Sequence, residues 1–410
     1  MTSARRWHFA VALSFLAACH PVIAQSPLAV AMDSALRTIG VPGATWALVR
    51  PDGVALGAAG VRDLVTGRPM HAADRVHVAS VTKTVLATGA LRLVTLGRLA
   101  LDAPITRYLP ALPIDNAWDA TDPIRVRHLL DHTAGLDDAR FWQVFTMRGD
   151  PDLPLRDALV HAGARVTVRQ PPGTRFSYSN TGYLLLAMVV EAVTGERYEQ
   201  WMDRELLAPL GMTRSTFHFV SQVGPARDTT LAMGHFEGGT RQTAYAIPAR
   251  PSSQFTTTAA DMATLARFLM SDGMRDGQPF VATELLRSMG RATTTDAARG
   301  GVPGGYGLGL VSRERWGVSG RCHLGNLGTF RSLFCLYPDV QRAFFWRTTA
   351  IPRVCRGIAW IRCSRTRSIC HATLLCQLRP PRWTSRTGAA GTWRARRALR
   401  RWRISTHSPR

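Results

Sequence analysis

The sequence carries 51 basic residues, of which 50 are arginine and one is lysine, Lys83. Arginine has taken over wherever charge alone is needed, so the surviving lysine is a candidate for work that arginine cannot do. Arginine stays protonated at any relevant pH, whereas a desolvated lysine amine can lose its proton and act as a base. Lys83 stands three residues after Ser80, in Ser80-Val81-Thr82-Lys83. On a helix, positions i and i+3 share a face, which brings hydroxyl and amine toward hydrogen-bonding distance. A helix N-terminus at this point adds positive potential, which lowers the amine pKa and favours negative charge developing beside Ser80. The pair reads as a nucleophile with its general base.

Two more segments hold usable chemistry. In Tyr178-Ser179-Asn180, an extended backbone puts Tyr178 and Asn180 on one side. A phenol near Lys83 can relay protons, and the Asn amide can hold Lys83 or a substrate carbonyl. In His323-Leu324-Gly325-Asn326-Leu327-Gly328-Thr329-Phe330, glycines beside an apolar strand allow close backbone approach of a ligand. A strand amide there can join the Ser80 amide as an oxyanion hole. A rival chemistry lies in His128-Leu129-Leu130-Asp131-His132, two histidines at i and i+4 that superficially suggest zinc. No third ligand pattern follows, and neither a metal nor an organic cofactor is expected.

The elements that must position these residues follow from periodicity. Residues 26–40 carry an amphipathic helical pattern ending at Gly40. The apolar runs Ala44–Arg50 and Val54–Gly60, split by Pro51-Asp52-Gly53, read as a hairpin. A helix is expected from about Ser80 to Leu96, and Leu184–Val193, apolar nearly all round, as a buried helix. Thr258 is the expected N-cap of a helix to Leu269, with Asp261 completing a capping box. Short glycine-rich strands return over Gly304–Leu336. Strands first and last with helices between imply one sheet built from both ends of the chain, an α/β (α+β) fold. Antiparallel strands flanked by helices would carry an all-helical insertion over about 100–270.

The 410 residues suffice for a large buried core, and 46% apolar with 19% charged residues excludes a disordered or polytopic membrane chain. The net charge of +23 would suggest nucleic acid, but 16 arginines and no acidic residue fall within 346–410. Without them, 23 − 16 leaves +7 over 345 residues, so no nucleic-acid partner is expected. This tail also holds four cysteines and five of the 11 tryptophans, and shows no sustained periodicity. A basic nucleic-acid-binding extension, an anionic-membrane anchor and out-of-frame translation are the three readings. The abrupt change inside an apparent strand, Arg342–Phe345, favours the last, which leaves 25–345 as the folded domain.

Arg5 and Arg6 followed by the apolar Phe9–Ala18 read as an export signal, too short to span a bilayer in the mature chain. Cleavage after Ala24 (residues 1–24) is favoured over a lipoprotein site that would leave Cys19 lipidated. A periplasmic or secreted bacterial protein is expected in either case, as a monomer. Of the seven cysteines only Cys322 and Cys335 lie in the body. They are expected as two unpaired core thiols rather than a cross-strand pair.

Taken together, the Ser-x-x-Lys, Tyr-x-Asn and His323-Leu324-Gly325 segments resemble the serine β-lactamase and penicillin-binding-protein superfamily. The pattern is most similar to the class C β-lactamase-related branch of esterases, D-aminopeptidases and carboxypeptidase-like hydrolases. Leu129–Leu136, Pro209–Met212, Thr257–Met262 and Tyr306–Gly309 support the likeness, which covers about residues 30–345. It implies acylation of Ser80, with Lys83 as its partner and Tyr178 as proton shuttle and activator of the deacylating water. It further implies Asn180, His323 and Gly325 as substrate-positioning residues, with Ser80 and Asn326 amides as oxyanion donors. The substrate would be a small molecule or peptide: an ester or amide, with D-amino-acid and β-lactam-like compounds in the same class. A non-catalytic or inactivated protein that binds peptide or peptidoglycan is the alternative. Two departures matter. His323 replaces a permanently charged lysine that grips a substrate carboxylate, so esters and small amides are expected ahead of β-lactams. The tail occupies the place where the family adds a closing strand and helix.

Overall fold

The computed structural model describes residues 26–146, 149–159, 165–302, 304–315 and 317–350. The export signal, and all of the arginine-rich tail beyond residue 350, lie outside the described residues.

The N-terminal helix α1 (Pro27–Ile39) is stopped at both ends as the sequence implies. The Ser26 hydroxyl accepts the Ala29 amide, and Gly40 takes the left-handed φ of 68° that closes the helix. It packs Leu28, Met32 and Leu36 onto one face of an eight-stranded antiparallel sheet. The strands are β1 (Gly43–Arg50), β2 (Gly53–Asp63), β3 (Arg68–Pro69), β4 (Tyr306–Gly307), β5 (Leu310–Arg315), β6 (Val318–Leu327), β7 (Phe330–Tyr337) and β8 (Arg342–Thr348). Their spatial order is β4-β5-β6-β7-β8-β1-β2-β3, so the two ends of the chain meet where β8 pairs with β1.

The opposite face carries the main core. Helices α2 (Thr82–Thr95), α3 (Asn180–Thr194) and α4 (Ala259–Leu269) contribute buried Val85, Leu86, Leu185, Leu186, Met262 and Leu265. Two helical starts differ from expectation. A 3-10 turn, Ala79–Val81, precedes α2, so Ser80 stands on the entry turn rather than inside the helix. Thr258 does cap α4, accepting the Asp261 amide at 3.2 Å. The Asp261 carboxylate, however, turns away from the capping box to accept the Ser215 hydroxyl at 2.6 Å and the Arg214 amide at 2.9 Å.

The insertion between β3 and β4 is largely short helices and turns, but it is not purely helical. It carries two-residue ladders, such as Thr256–Thr257 against Val76–His77 just before the Ser80 turn. Cys322 and Cys335 are joined in a disulfide, which corrects the expectation of free thiols. The register explains it. The two residues stand directly opposite on β6 and β7, and the two-residue turn at Gly328-Thr329 makes theirs a non-hydrogen-bonded pair, where side chains come closest. Strand β8 continues past Phe345: Trp346 stacks on Trp46 with ring centroids 6.2 Å apart, and Arg347 is fully buried.

Candidate active site

Ser80 is held on a strained turn. Ala79, immediately before it, is buried with φ of 48°, a left-handed conformation costly for a side-chain-bearing residue. Thr82 locks that turn, donating its hydroxyl to the Ala79 carbonyl at 2.6 Å and accepting the Phe255 amide at 3.1 Å.

One turn on, Lys83 is fully buried. Its Nζ lies 3.2 Å from Ser80 Oγ, 2.7 Å from Asn180 Oδ1 and 2.9 Å from the Ser252 carbonyl oxygen. Burial is the larger cause that brings its pKa down from 10.5 to about 7, against the nearby Asp138 charge, which raises it. A neutral amine has two N–H donors and one lone pair. Donation to Asn180 and Ser252 leaves that lone pair for the Ser80 hydroxyl, the geometry of a base waiting for a proton.

Tyr178 lies in the non-helical segment leading into α3, with Lys83 Nζ 4.9 Å from its ring centroid. Burial pushes the phenol well above its ordinary pKa, an effect the neighbouring Ser80 side chain opposes. Tyr178 therefore stays protonated and suits donation of a proton, while the first abstraction suits Lys83. Asn180 opens α3, and its orientation is fixed by Asp138, which accepts the Asn180 backbone amide at 2.6 Å and side-chain Nδ2 at 3.3 Å.

The residues of β6 divide into two groups. His323 is buried with both ring nitrogens engaged: Nε2 with the Tyr306 hydroxyl at 2.9 Å and Nδ1 with the Leu324 carbonyl oxygen at 2.7 Å. Burial first, and Lys83 second, bring its pKa from 6.5 to about 3. A neutral, doubly occupied imidazole offers no cationic grip on a carboxylate. Gly325 faces the helical layer, not the cleft. A Cβ there would come 2.1 Å from both the Val78 carbonyl oxygen and Ser332 Oγ. The close approach it permits is to the backbone two residues before Ser80, instead of to a ligand. Leu324 and Asn326 lie on the other register. Strand β5 pairs with β6 only as far as Cys322, and the bonded β6–β7 pairs fall on Leu327, Gly325 and His323. The Leu324 and Asn326 peptide groups therefore point along the free edge of β6.

That edge borders a cleft of about 460 Å³. Ser80, Tyr178, Asn180, His323 and Asn326 all line it, so the structure gathers every candidate except Lys83, directly beneath, and Gly325, turned behind the strand. Its apolar wall is Phe176, Leu324 and Tyr306, the first two about half exposed. The histidines of the zinc-like segment serve the backbone: His128 Nδ1 accepts the Arg125 amide and His132 Nδ1 the Ser179 amide. Sequence reasoning missed Asp138, whose adjoining Asp137 and flanking loop carry no motif signal. It also missed the Ser252 carbonyl, since a backbone group leaves no trace in residue type.

An antiparallel sheet with a Ser-x-x-Lys turn beneath its β6 edge defines the serine-hydrolase fold of β-lactamases and penicillin-binding proteins. The chain belongs to the beta-lactamase family, whose profile matches residues 29–353. It is 37% identical over 194 residues to the esterase EstB of Burkholderia gladioli, covering 44% of this chain and 48% of that one. It is 28% identical over 313 residues to a D-aminopeptidase of Cereibacter sphaeroides, covering 74% and 55%. The matched segments thus span about half the length of these two curated relatives. Among solved structures, the D-amino acid amidase of Ochrobactrum anthropi superposes with a TM-score of 0.65 at 23% identity, covering 86% of this chain and 100% of that one. The octameric penicillin-binding protein homologue of Pyrococcus abyssi gives 0.66 at 23%, covering 86% and 76%. Among the described residues, no helix is long and apolar enough to cross a membrane.

Proposed function

We propose that the chain is an exported bacterial serine hydrolase that forms a covalent acyl-enzyme on Ser80 from esters or small amides. The observation that carries this reading is the buried Lys83 amine, 3.2 Å from Ser80 Oγ, with its other two positions taken by oxygen acceptors. Ser80 Oγ attacks the substrate carbonyl and its proton passes to Lys83 Nζ. The Ser80 and Asn326 amides receive the developing oxyanion. Tyr178 gives its proton to the departing alkoxide or amine and regains one from the Lys83 ammonium. Water then attacks the acyl-ester, loses a proton back through Tyr178, and Ser80 leaves protonated. Asn180 holds Lys83 throughout.

The half-exposed Phe176 and Leu324 favour an apolar acyl group, and the occupied His323 favours uncharged esters over carboxylate-bearing β-lactams. The test is intact-mass analysis after brief exposure to a p-nitrophenyl ester, alongside Ser80→Ala. One acyl adduct on the natural protein and none on the variant is expected. Folded natural protein that takes no adduct and releases no nitrophenol would sink the reading.

The same reading takes residues after Phe345 as out-of-frame translation. Arg347 supports it, a buried cation whose Nη1 and Nη2 have no hydrogen-bond partner among the described residues, two residues beyond the compositional break. Translating the gene in its other two frames tests this, and failure of both to continue with a balanced amphipathic sequence refutes it.

A further inference from the structure

Tyr178 sits in a segment with no helix or strand of its own, so something else must fix it. His132 meets that segment three times. Its carbonyl oxygen accepts the Ser177 amide at 2.8 Å, and its Nδ1 accepts the Ser179 amide at 3.2 Å. Its ring stacks on the Tyr178 ring with centroids 4.2 Å apart and planes 29° from parallel. The residues on both sides of Tyr178, and its ring face, thus rest on one residue 46 positions earlier in the chain.

His132 holds this place under strain. Its φ is 59°, in the left-handed region, and it is 2% exposed. With the Nδ1 lone pair taken by Ser179, the ring proton belongs on Nε2, and that buried N–H has no hydrogen-bond partner among the described residues. The His132 ring stands at 87° to the Tyr306 ring with centroids 4.9 Å apart, and the Tyr183 and Phe176 rings lie at 5.2 and 6.1 Å. A strained backbone and an unpartnered N–H at one residue are each unfavourable, and their coincidence beneath a site side chain is the mark of a constraint serving position. Burial, the largest cause, keeps the imidazole neutral, and Lys83 adds to this whenever it carries a proton. An imidazolium would turn Nδ1 into a donor facing the Ser179 N–H.

We infer that His132 is the positioning residue for Tyr178, holding the phenol against Lys83 and Ser80 through its carbonyl, its Nδ1 and its ring face. This rests on the serine-hydrolase reading above. It assigns the Leu129–Leu136 segment a part in catalysis beyond ending a helix.

The test is a double-mutant cycle with Tyr178→Phe, read on a p-nitrophenyl ester. His132→Asn keeps an oxygen acceptor near the Nδ1 position and tolerates the left-handed φ, but loses the stacked ring. His132→Phe keeps the ring and loses the acceptor. Each should lower kcat by roughly 10- to 100-fold, the scale of a misplacement near one ångström, with KM little changed. Combined with Tyr178→Phe, neither should cause a further loss. Losses that multiply in the double variants overturn the inference, as does unchanged kcat in a folded single variant. Nitrogen NMR of the natural protein keeps the inference testable should both variants fail to fold. A neutral Nε2–H imidazole at neutral pH supports it, and an Nδ1–H or imidazolium signal overturns it. A fluorophosphonate probe separates the two readings: natural protein that is not labelled on Ser80 fails as a serine hydrolase, whereas labelled protein with multiplying losses fails only the role of His132.

Discussion

Replacing Arg347 by Met removes a full charge from the middle of the sheet. Arg347 is 0% exposed, its Nε donates to the His77 carbonyl at 3.2 Å, and its Cζ lies 4.7 Å from the Phe330 ring centroid. Among the described residues no carboxylate is paired with it, and burial lowers its pKa from 12.5 to about 9. At about 1.4 kcal/mol per factor of ten in proton affinity, that fall corresponds to roughly 5 kcal/mol against folding. The Nε bond and the ring contact are lost in the variant and return about 1–2 kcal/mol to the other side. An apolar side chain of similar length should therefore stabilise by roughly 3–4 kcal/mol, the upper part of the range seen when buried charges give way to packed hydrophobes. For a domain of this size that is an increase in Tm of about 2 °C per kcal/mol or somewhat more. The sign with pH is fixed too. A cation whose folded pKa is depressed opposes folding at every pH below about 9, and the opposition fades above it. Urea unfolding of both proteins at neutral pH, read as midpoint at unchanged slope, checks the gain. A variant no more stable than the natural protein would refute the reasoning, and would mean that the guanidinium has a partner its geometry does not reveal.

Other consequences can be measured with the same preparations. Lys83→Arg keeps the charge but supplies no base, so ester turnover should drop by roughly 10²–10⁴-fold; near-normal turnover would exclude Lys83 as base. In the natural protein kcat/KM should rise with pH through about 7 as Lys83 loses its proton, and a profile flat across that range would contradict it. Reduction of the Cys322–Cys335 disulfide, which closes a loop of sequence separation 13, should cost about 3 kcal/mol, visible as a lower melting temperature in dithiothreitol. His77 is buried with its pKa lowered from 6.5 to about 4, chiefly by desolvation. Below 6.5 the unfolded chain takes up the proton first, so stability should fall as pH goes from 6.5 toward 4, by roughly 3 kcal/mol from this residue alone. Melting temperatures level across that window would count against a neutral buried His77.

Sequence pattern reaches furthest where chemistry is local. Ser80 and Lys83 are neighbours on one turn, and the scarcity of lysine made them visible; Ser26 and Thr258 cap their helices through groups three residues away. What stayed hidden depends on register and on distant segments. The pairing of Cys322 with Cys335 needs the β6–β7 alignment, which the turn at Gly328-Thr329 sets only once folded. Asp261 has the spacing of a capping box, yet Ser215, 46 positions away, takes its carboxylate. Gly325 lies beside a site strand, but its missing side chain makes room for the Val78 carbonyl. His132 reads as the end of a helix because the three residues it holds lie 45 or more positions further on.

The position of β8 between β7 and β1 has a consequence for how the molecule is made. Gly43 and Thr349, 306 residues apart, hydrogen-bond across that junction. On the ribosome, the β1–β2 hairpin emerges early and the β4–β7 meander late, each with an open edge that only β8 can fill. The sheet therefore cannot close while most of the chain is being synthesised. A pairing of such high sequence separation forms slowly, and unpaired edges invite association with other chains. Anything that delays or alters the last strand acts on a nascent protein already exposing both edges, so its effect should fall on the yield of folded molecules before it is felt in the cleft.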